Sequence, residues 1–221
     1  MRALLVAAAP VTGSVVLVAE LAPQHDLVIA VDGGGRICLD AHVTPDLVVG
    51  DFDSLDAAAL EQLRDAGARV LPFPAEKDAT DLELALAAAR EAGVGELTVT
   101  AVSSGRLDHT LAAVGALTNA ADLRPEIAEP DMRAWVLRAD AREQVRVGRG
   151  GATVSLIAFG AGARVSISGV RWPLDGHDLS AGSGLGVSNI VNEEAGAVIR
   201  VHSGTVLAIL HGALDGLNGV G

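Results

Sequence analysis

Two hydrophobic patterns divide the chain, and their order restricts it to few folds. Up to about Leu123, continuously apolar runs alternate with amphipathic segments. The runs are Ala3 to Ala9, Leu27 to Val31, Asp46 to Val49, Arg69 to Phe73 and Leu97 to Val102. The amphipathic segments are Ser14 to Leu21, Leu55 to Ala66, Asp81 to Ala92 and Leu107 to Ala120. A strand that is apolar throughout must be covered on both faces, so in alternation with helices it belongs to an α/β unit with a mostly parallel sheet. Thr80 followed by Glu83 is a capping box that starts the third of these helices, and Gly93 stops it.

After a polar, proline-containing bridge near residues 122–133 the helical patterns end. Short period-2 runs follow: Ala134 to Leu137, Gln144 to Val147, Thr153 to Phe159, Arg164 to Ser168, Val198 to His202 and Thr205 to Leu210. Glycines, among them Gly160, Gly162 and Gly204, separate them. Such spacing predicts an antiparallel β-sandwich or small barrel. The expected organisation is therefore an N-terminal α/β domain at residues 1–125 and a C-terminal β domain at 133–221.

At 221 residues, half of them hydrophobic, the chain can bury a sizeable core. Its net charge of −12 repels nucleic acid and anionic membrane surfaces, so neither is expected as a partner. An ATP-type ligand would need local cations or a metal to offset that field. The single Cys38 cannot form an internal disulfide and reads as a small apolar filler, which fits a reducing cytoplasm. Met1 to Ala9 superficially resembles a secretion leader, but the run is brief and is interrupted by Pro10 and Gly13, so a first strand is expected there. No apolar stretch reaches transmembrane length.

The chemistry-bearing residues gather where strands give way to loops. Asp51 and Asp53 follow the run Leu47-Val48-Val49. If the chain stays extended there, both carboxylates project to one side and can meet a hard cation such as Mg²⁺. They lie beyond a strand's carboxyl end, where open α/β sheets bind ligands. The alternative is that Asp53 or Ser54 only caps the helix that follows. Asp81 stands in a helix's first turn, where the dipole favours a negative charge with or without a function. Lys77 and Arg106 could offset phosphate charge, or could simply be solvated. Asp108 and His109 open another helix. Asp32-Gly33-Gly34-Gly35 would let backbone approach a ligand closely, although it is neither a Walker A loop nor a dinucleotide fingerprint. In the β half, Trp172 either fills the core or stacks on a flat cationic ring, and Ser188 and Asn189 are turn residues by default.

Taken in order, Asp32-Gly33-Gly34, Pro45-Asp46 with Gly50-Asp51-Phe52-Asp53-Ser54, Asp78-Ala79-Thr80-Asp81, Gly105-Arg106-Leu107-Asp108-His109, Arg171-Trp172-Pro173-Leu174 and Ser188-Asn189 resemble the successive motifs of the thiamine pyrophosphokinase family. The resemblance runs from about Asp32 to Leu210, and its most specific parts are Gly-Asp-Phe-Asp-Ser and Gly-Arg-x-Asp-His. It departs at Ser104, where the family commonly has glycine, and across Asp122 to Arg133, which matches no motif.

The resemblance implies transfer of pyrophosphate from MgATP to the hydroxyethyl group of thiamine, releasing AMP. It implies Mg²⁺ on Asp51, Asp53 and Asp81, with Asp108 also at the catalytic centre. Nucleotide and phosphates would meet Asp32, Gly33, Gly34, Lys77, Thr80 and Arg106, and thiamine would meet Trp172, Ser188 and Asn189. It further implies a homodimer whose sites form between the α/β domain of one subunit and the sandwich of the other. A pyrophosphokinase acting on another alcohol, such as a hydroxymethylpterin, would keep the aspartates without needing this β domain. A regulator that only binds thiamine or nucleotide could lose the carboxylates without penalty.

Overall fold

The computed structural model of the chain describes residues 1–74, 76, 78–103, 105–148, 150–192 and 196–212. Packing separates Met1–Ala116 with Ile127–Pro130 from Leu117–Glu126 with Asp131 onward. In the first unit the elements run β1 (Arg2–Val6), α1 (Ser14–Leu21), β2 (Leu27–Val31), α2 (Gly34–Asp40), β3 (Leu47–Gly50), α3 (Ala57–Asp65), β4 (Arg69–Pro72), α4 (Asp81–Glu91) and β5 (Glu96–Thr100). They are followed by α5 (Leu107–Asn119) and β6 (Pro125–Glu129), each of which begins or ends in this unit. The N-terminal run is thus a strand, with Ala3 to Val6 fully buried.

The sheet order is β6-β5-β1-β2-β3-β4, and β5 through β4 are parallel. The chain moves outward from β1 to β4 and then returns to the other side of β1 as β5. The point where the order reverses therefore lies between β1 and β5, and open α/β sheets bind ligands beyond the carboxyl edge at such a point. Each apolar run is covered as its pattern demands: α2 packs on β1 and β2, and α4 packs on β2 and β3 with Ala85, Leu86 and Ala89 inward. Thr80 caps α4 through the expected box with Glu83. Cys38 is buried in α2, and that burial pushes its thiol up to about 12, leaving it inert at neutral pH.

Apart from the end of α5 and a 3-10 turn at Ala121–Leu123, the described part of the second unit is built of strands. It contains β7 (Met132–Arg138), β8 (Gln144–Val147), β9 (Thr153–Ser168), β10 (Leu174–Leu179), β11 (Asn189–Ile190) and β12 (Ala197–His211). Here the structure differs from the expected short strands: the glycines read as breaks at 160, 162 and 204 lie inside two long strands. Register shifts between Val201 and Ser203 and between Gly204 and Thr205 mark the bend, and each long strand serves two sheets. Residues 197–201 of β12 pair with β8 and with the end of β9, which also carries β10. Residues 205–211 pair with β7 and with the start of β9, which also carries β11. Trp135, Leu137, Val145, Val147, Leu156, Val165, Ile167, Ile199 and Val206 join in one core between these layers, so the unit is an antiparallel sandwich. No helix among the described residues is long and apolar enough to cross a membrane.

Candidate active site

Three carboxylates meet at the carboxyl edge of the parallel sheet. Val31 of β2 is in register with Val49 of β3, so the two strands release their next residues side by side. Asp32 leaves β2 with φ 47, and its N–H still donates to the Val49 carbonyl at 2.9 Å. One carboxylate oxygen each from Asp32, Asp51 and Asp53 lie within 4.8 Å of one another. The expected extended run through Asp51 and Asp53 is not what brings them together. β3 ends at Gly50, Phe52 turns left-handed at φ 63, and the Asp53 N–H donates to Asp51 Oδ1 at 3.2 Å. The Phe52 N–H donates to Asp32 Oδ1 at 3.0 Å, so Asp32 fixes the same turn. Gly50 makes room for this: a β-carbon there would sit 2.1 Å from Asp32 Oδ1.

The capping alternative for Asp51 and Asp53 fails. α3 begins at Ala57 and its cap is Asp56, whose Oδ1 accepts the Ala59 N–H at 2.8 Å while its other oxygen pairs with Arg36. Ser54 Oγ instead accepts the Gly33 N–H at 3.0 Å, tying the end of β2 to the loop after β3. The close approach made by Gly34 is to its own sheet, because a β-carbon there would lie 2.1 Å from the Val6 carbonyl oxygen.

Burial raises Asp32 to about 6; the Phe52 N–H opposes this, and the neighbouring charges of Asp81, Asp51 and Asp53 add to it. Asp81 is thus close enough to act electrostatically, although the trio within 4.8 Å contains Asp32 in its place. Its carboxylate stands in the first turn of α4, directly after the Thr80 cap, whose hydroxyl accepts the Glu83 N–H at 3.3 Å. Mg²⁺ holds oxygens at about 2.1 Å, so opposite ligands sit about 4.2 Å apart. Carboxylate oxygens within 4.8 Å need only a small closing movement, and a purely oxygen donor set suits that ion.

Beyond β5, Arg106 and Asp108 form a two-bond ion pair, with Nη2 donating to Oδ2 at 2.6 Å and Nε to Oδ1 at 3.3 Å. The Arg106 guanidinium holds the Asp108 carboxyl down at about 2, and Asp108 in turn raises Arg106. A phosphate at Arg106 would therefore share a guanidinium that Asp108 already orients. His109 is exposed on the next residue. Lys77 and Ser104 lie outside the described residues.

Sequence reasoning missed Glu129, which sits in the segment without a recognised motif. It is buried and accepts hydrogen bonds from the N–H groups of Ala101, Val102 and Ser103 and from Ser103 Oγ. The one available signal was an acidic residue closing the apolar run Ile127-Ala128 before Pro130.

In the β unit, Trp172 is 54% exposed, whereas the other tryptophan, Trp135, is 3% exposed and fills the core. The reading of Trp172 as a core residue is thereby removed. The Arg171 guanidinium lies 4.8 Å from the Trp172 ring centre. Asn189 is bonded to the Trp172 backbone, and Ser188, at φ 62, donates its N–H to Ser155 Oγ at 3.0 Å. The expected trio thus falls within one unit, with Asn189 and Trp172 in direct contact.

Fold and site define a protein of two parts: an α/β unit with a cation-attracting acidic edge, and a β unit that presents an aromatic side chain to solvent. Residues 18–128 match the family model for the thiamin pyrophosphokinase catalytic domain, and residues 140–206 match that for the thiamin pyrophosphokinase vitamin B1 binding domain. The chain is 29% identical over 168 residues to the thiamine pyrophosphokinase of Bacillus subtilis, covering 75% of this chain and 78% of that one. It is 26% identical over 159 residues to thiamine pyrophosphokinase 1 of Arabidopsis thaliana, covering 68% of this chain and 60% of the longer plant protein. The crystal structure of the Bacillus subtilis thiamine pyrophosphokinase superposes with a TM-score of 0.79 at 23% identity, covering 97% of this chain and all of that one. That of the Geobacillus thermodenitrificans protein does so at 0.76 and 27%, covering 97% and 99%. This chain belongs to the thiamine pyrophosphokinase family.

Proposed function

We propose that this chain transfers the terminal pyrophosphoryl group of ATP to thiamine. The thiamine hydroxyl oxygen forms a bond to the β-phosphorus, the bond from that phosphorus to the α-β bridging oxygen breaks, AMP leaves, and the hydroxyl proton is released. The observation that carries this reading is the convergence of Asp32, Asp51 and Asp53 at the ligand-binding edge of the segment matching the catalytic-domain model. Mg²⁺ bound there would neutralise charge on the polyphosphate.

Each residue has a part in the proposal. Asp51, Asp53 and Asp81 hold the ion, with Asp32 as a further carboxylate. Gly33, Gly34, Lys77, Thr80 and Arg106 line the nucleotide, and Asp108 orients Arg106. Trp172 offers a face to the cationic thiazolium, with Asn189 and Ser188 shaping the turn beside it. The protein's contribution is placement and charge compensation, which is what attack on a phosphorus centre chiefly requires. A homodimer with sites at the subunit interface, working in the cytoplasm, belongs to the same proposal. The match of residues 140–206 to a vitamin B1 binding domain disfavours a hydroxymethylpterin substrate.

The deciding experiment incubates the pure protein with MgATP and thiamine and resolves the products. Thiamine diphosphate with AMP is the expected pair. Thiamine monophosphate with ADP would refute the transfer proposed.

A further inference from the structure

We propose that Glu129 is a positioning residue for the nucleotide-binding loop after β5, an inference that rests on the reading of Arg106 and Asp108 as part of that site. Ala101, Val102 and Ser103 turn three successive N–H groups toward a single carboxylate, at 3.2 Å to Oε2 and at 2.9 and 3.0 Å to Oε1. The Ser103 hydroxyl adds a fourth bond to Oε1 at 3.0 Å. Consecutive N–H groups that converge in this way form a concavity for an anion. Here the chain fills it with its own anion, carried at the end of β6 beside β5.

This concavity exists because Ala101 takes a left-handed conformation, φ 54, that a residue with a side chain seldom adopts. Ala101 is pinned on both sides. Its N–H reaches Glu129, and its carbonyl accepts the Ala9 N–H at 2.8 Å, just beyond β1. Ala101 therefore ties the end of β6 to the segment after β1 across the end of β5. A buried carboxylate without partners is strongly disfavoured, so these bonds favour forming together and the loop favours one setting. Arg106 is three residues beyond Ser103, and its carbonyl accepts the Thr110 N–H at 3.1 Å in the first turn of α5. In sequence, only two residues, of which Ser104 lies outside the described residues, separate Ser103, held by Glu129, from Arg106. Glu129 itself, 1% exposed, does not reach solvent or ligand; it acts by deciding where Arg106 and Asp108 are held.

The test uses the full-length protein and two variants, Glu129→Gln and Ser103→Ala. Glutamine keeps one acceptor oxygen but sets an amide N–H against a backbone donor, so the loop loses its single setting. Affinity for a fluorescent ribose-labelled ATP, measured with Mg²⁺ and without thiamine, is expected to fall about tenfold in Glu129→Gln. KM for ATP should rise in parallel while KM for thiamine stays within about twofold of wild type, the difference being a single site's loss. Ser103→Ala, which removes one bond of the four, should move the same way by a smaller factor. A lowered melting temperature with unchanged nucleotide affinity in Glu129→Gln would overturn the proposal and leave Glu129 a core strut. Should Glu129→Gln fail to fold, unchanged nucleotide affinity in Ser103→Ala overturns it equally. Wild-type protein that made no thiamine diphosphate, with nucleotide affinity still lost in the variants, would refute the thiamine reading and uphold the loop assignment.

Discussion

Asn189 holds the backbone of Trp172 with both ends of its amide: Oδ1 accepts the Trp172 N–H at 3.1 Å, and Nδ2 donates to the Trp172 carbonyl at 2.7 Å. The indole's place on the surface is therefore set by a neighbour 17 residues away in sequence and not by burial. Asn189→Asp keeps the acceptor and loses the donor, whereas Asn189→Ala loses both. Both should raise KM for thiamine, alanine more strongly, with KM for ATP little changed. Equal effects on the two substrates in steady-state kinetics would disconnect this bracket from thiamine.

The two tryptophans should part company. Trp172→Ala should leave the melting temperature nearly unchanged, because the ring is 54% exposed. Its stacking on a thiazolium is worth about 0.5–2 kcal/mol, so thiamine affinity should fall roughly 2- to 30-fold. Trp135→Ala empties a core position and should cost about 3–5 kcal/mol in denaturant unfolding. Unchanged thiamine kinetics in Trp172→Ala would remove the stacking role.

Asp51→Asn and Asp53→Asn should each abolish most turnover at saturating Mg²⁺ while preserving the melting temperature, since neither residue caps a helix. Asp56→Ala is the contrasting variant: it removes the α3 cap, so it should lower the melting temperature and retain activity. Near-normal turnover in either carboxamide variant would exclude that residue from the metal site.

Asp32 predicts how stability changes with pH. Its folded value, raised to about 6 chiefly by burial, exceeds that of an unfolded aspartate near 4. The folded state therefore binds more protons across that interval, and the group's favourable contribution is complete below about pH 4 and lost as pH rises through 6. Metal-free protein should become less stable over this window. Mg²⁺ needs the ionised form, so its stabilising effect should grow over the same window. Asp32→Asn keeps an Oδ1 acceptor for the Phe52 N–H and should flatten both dependences in thermal melts. A wild-type melt insensitive to pH and Mg²⁺ between 4 and 7 would contradict the assignment.

A subunit-mixing experiment addresses the proposed dimer. Combining Asp53→Asn and Trp172→Ala subunits should restore activity, because one of the two heterodimer sites would receive both intact halves. No recovery after confirmed exchange would place each whole site within one chain.

What could be read from the sequence were features encoded locally. The capping box Thr80 to Glu83 and the bounds of α1 follow from residues a few positions apart, and both are present. The sequence also brought Asp51 and Asp53 together, but by an extended run, because the left-handed turn at Phe52 depends on a bond from Asp32, 20 residues away. Glu129 was invisible for the same reason: its partners lie 26 to 28 residues back, and only the sheet order brings them close. Gly160, Gly162 and Gly204 read as breaks because local pattern cannot tell a turn from a bend in a strand that continues into a second sheet.

That continuity has a consequence for cooperativity. β9 and β12 each run through both layers of the sandwich, so neither layer can open fully without disturbing strands of the other. Amides such as those of Leu156 and Ala158 in one layer and Val165 and Ile167 in the other are therefore tied to one opening event, and they should exchange with solvent at a common free energy as a single foldon.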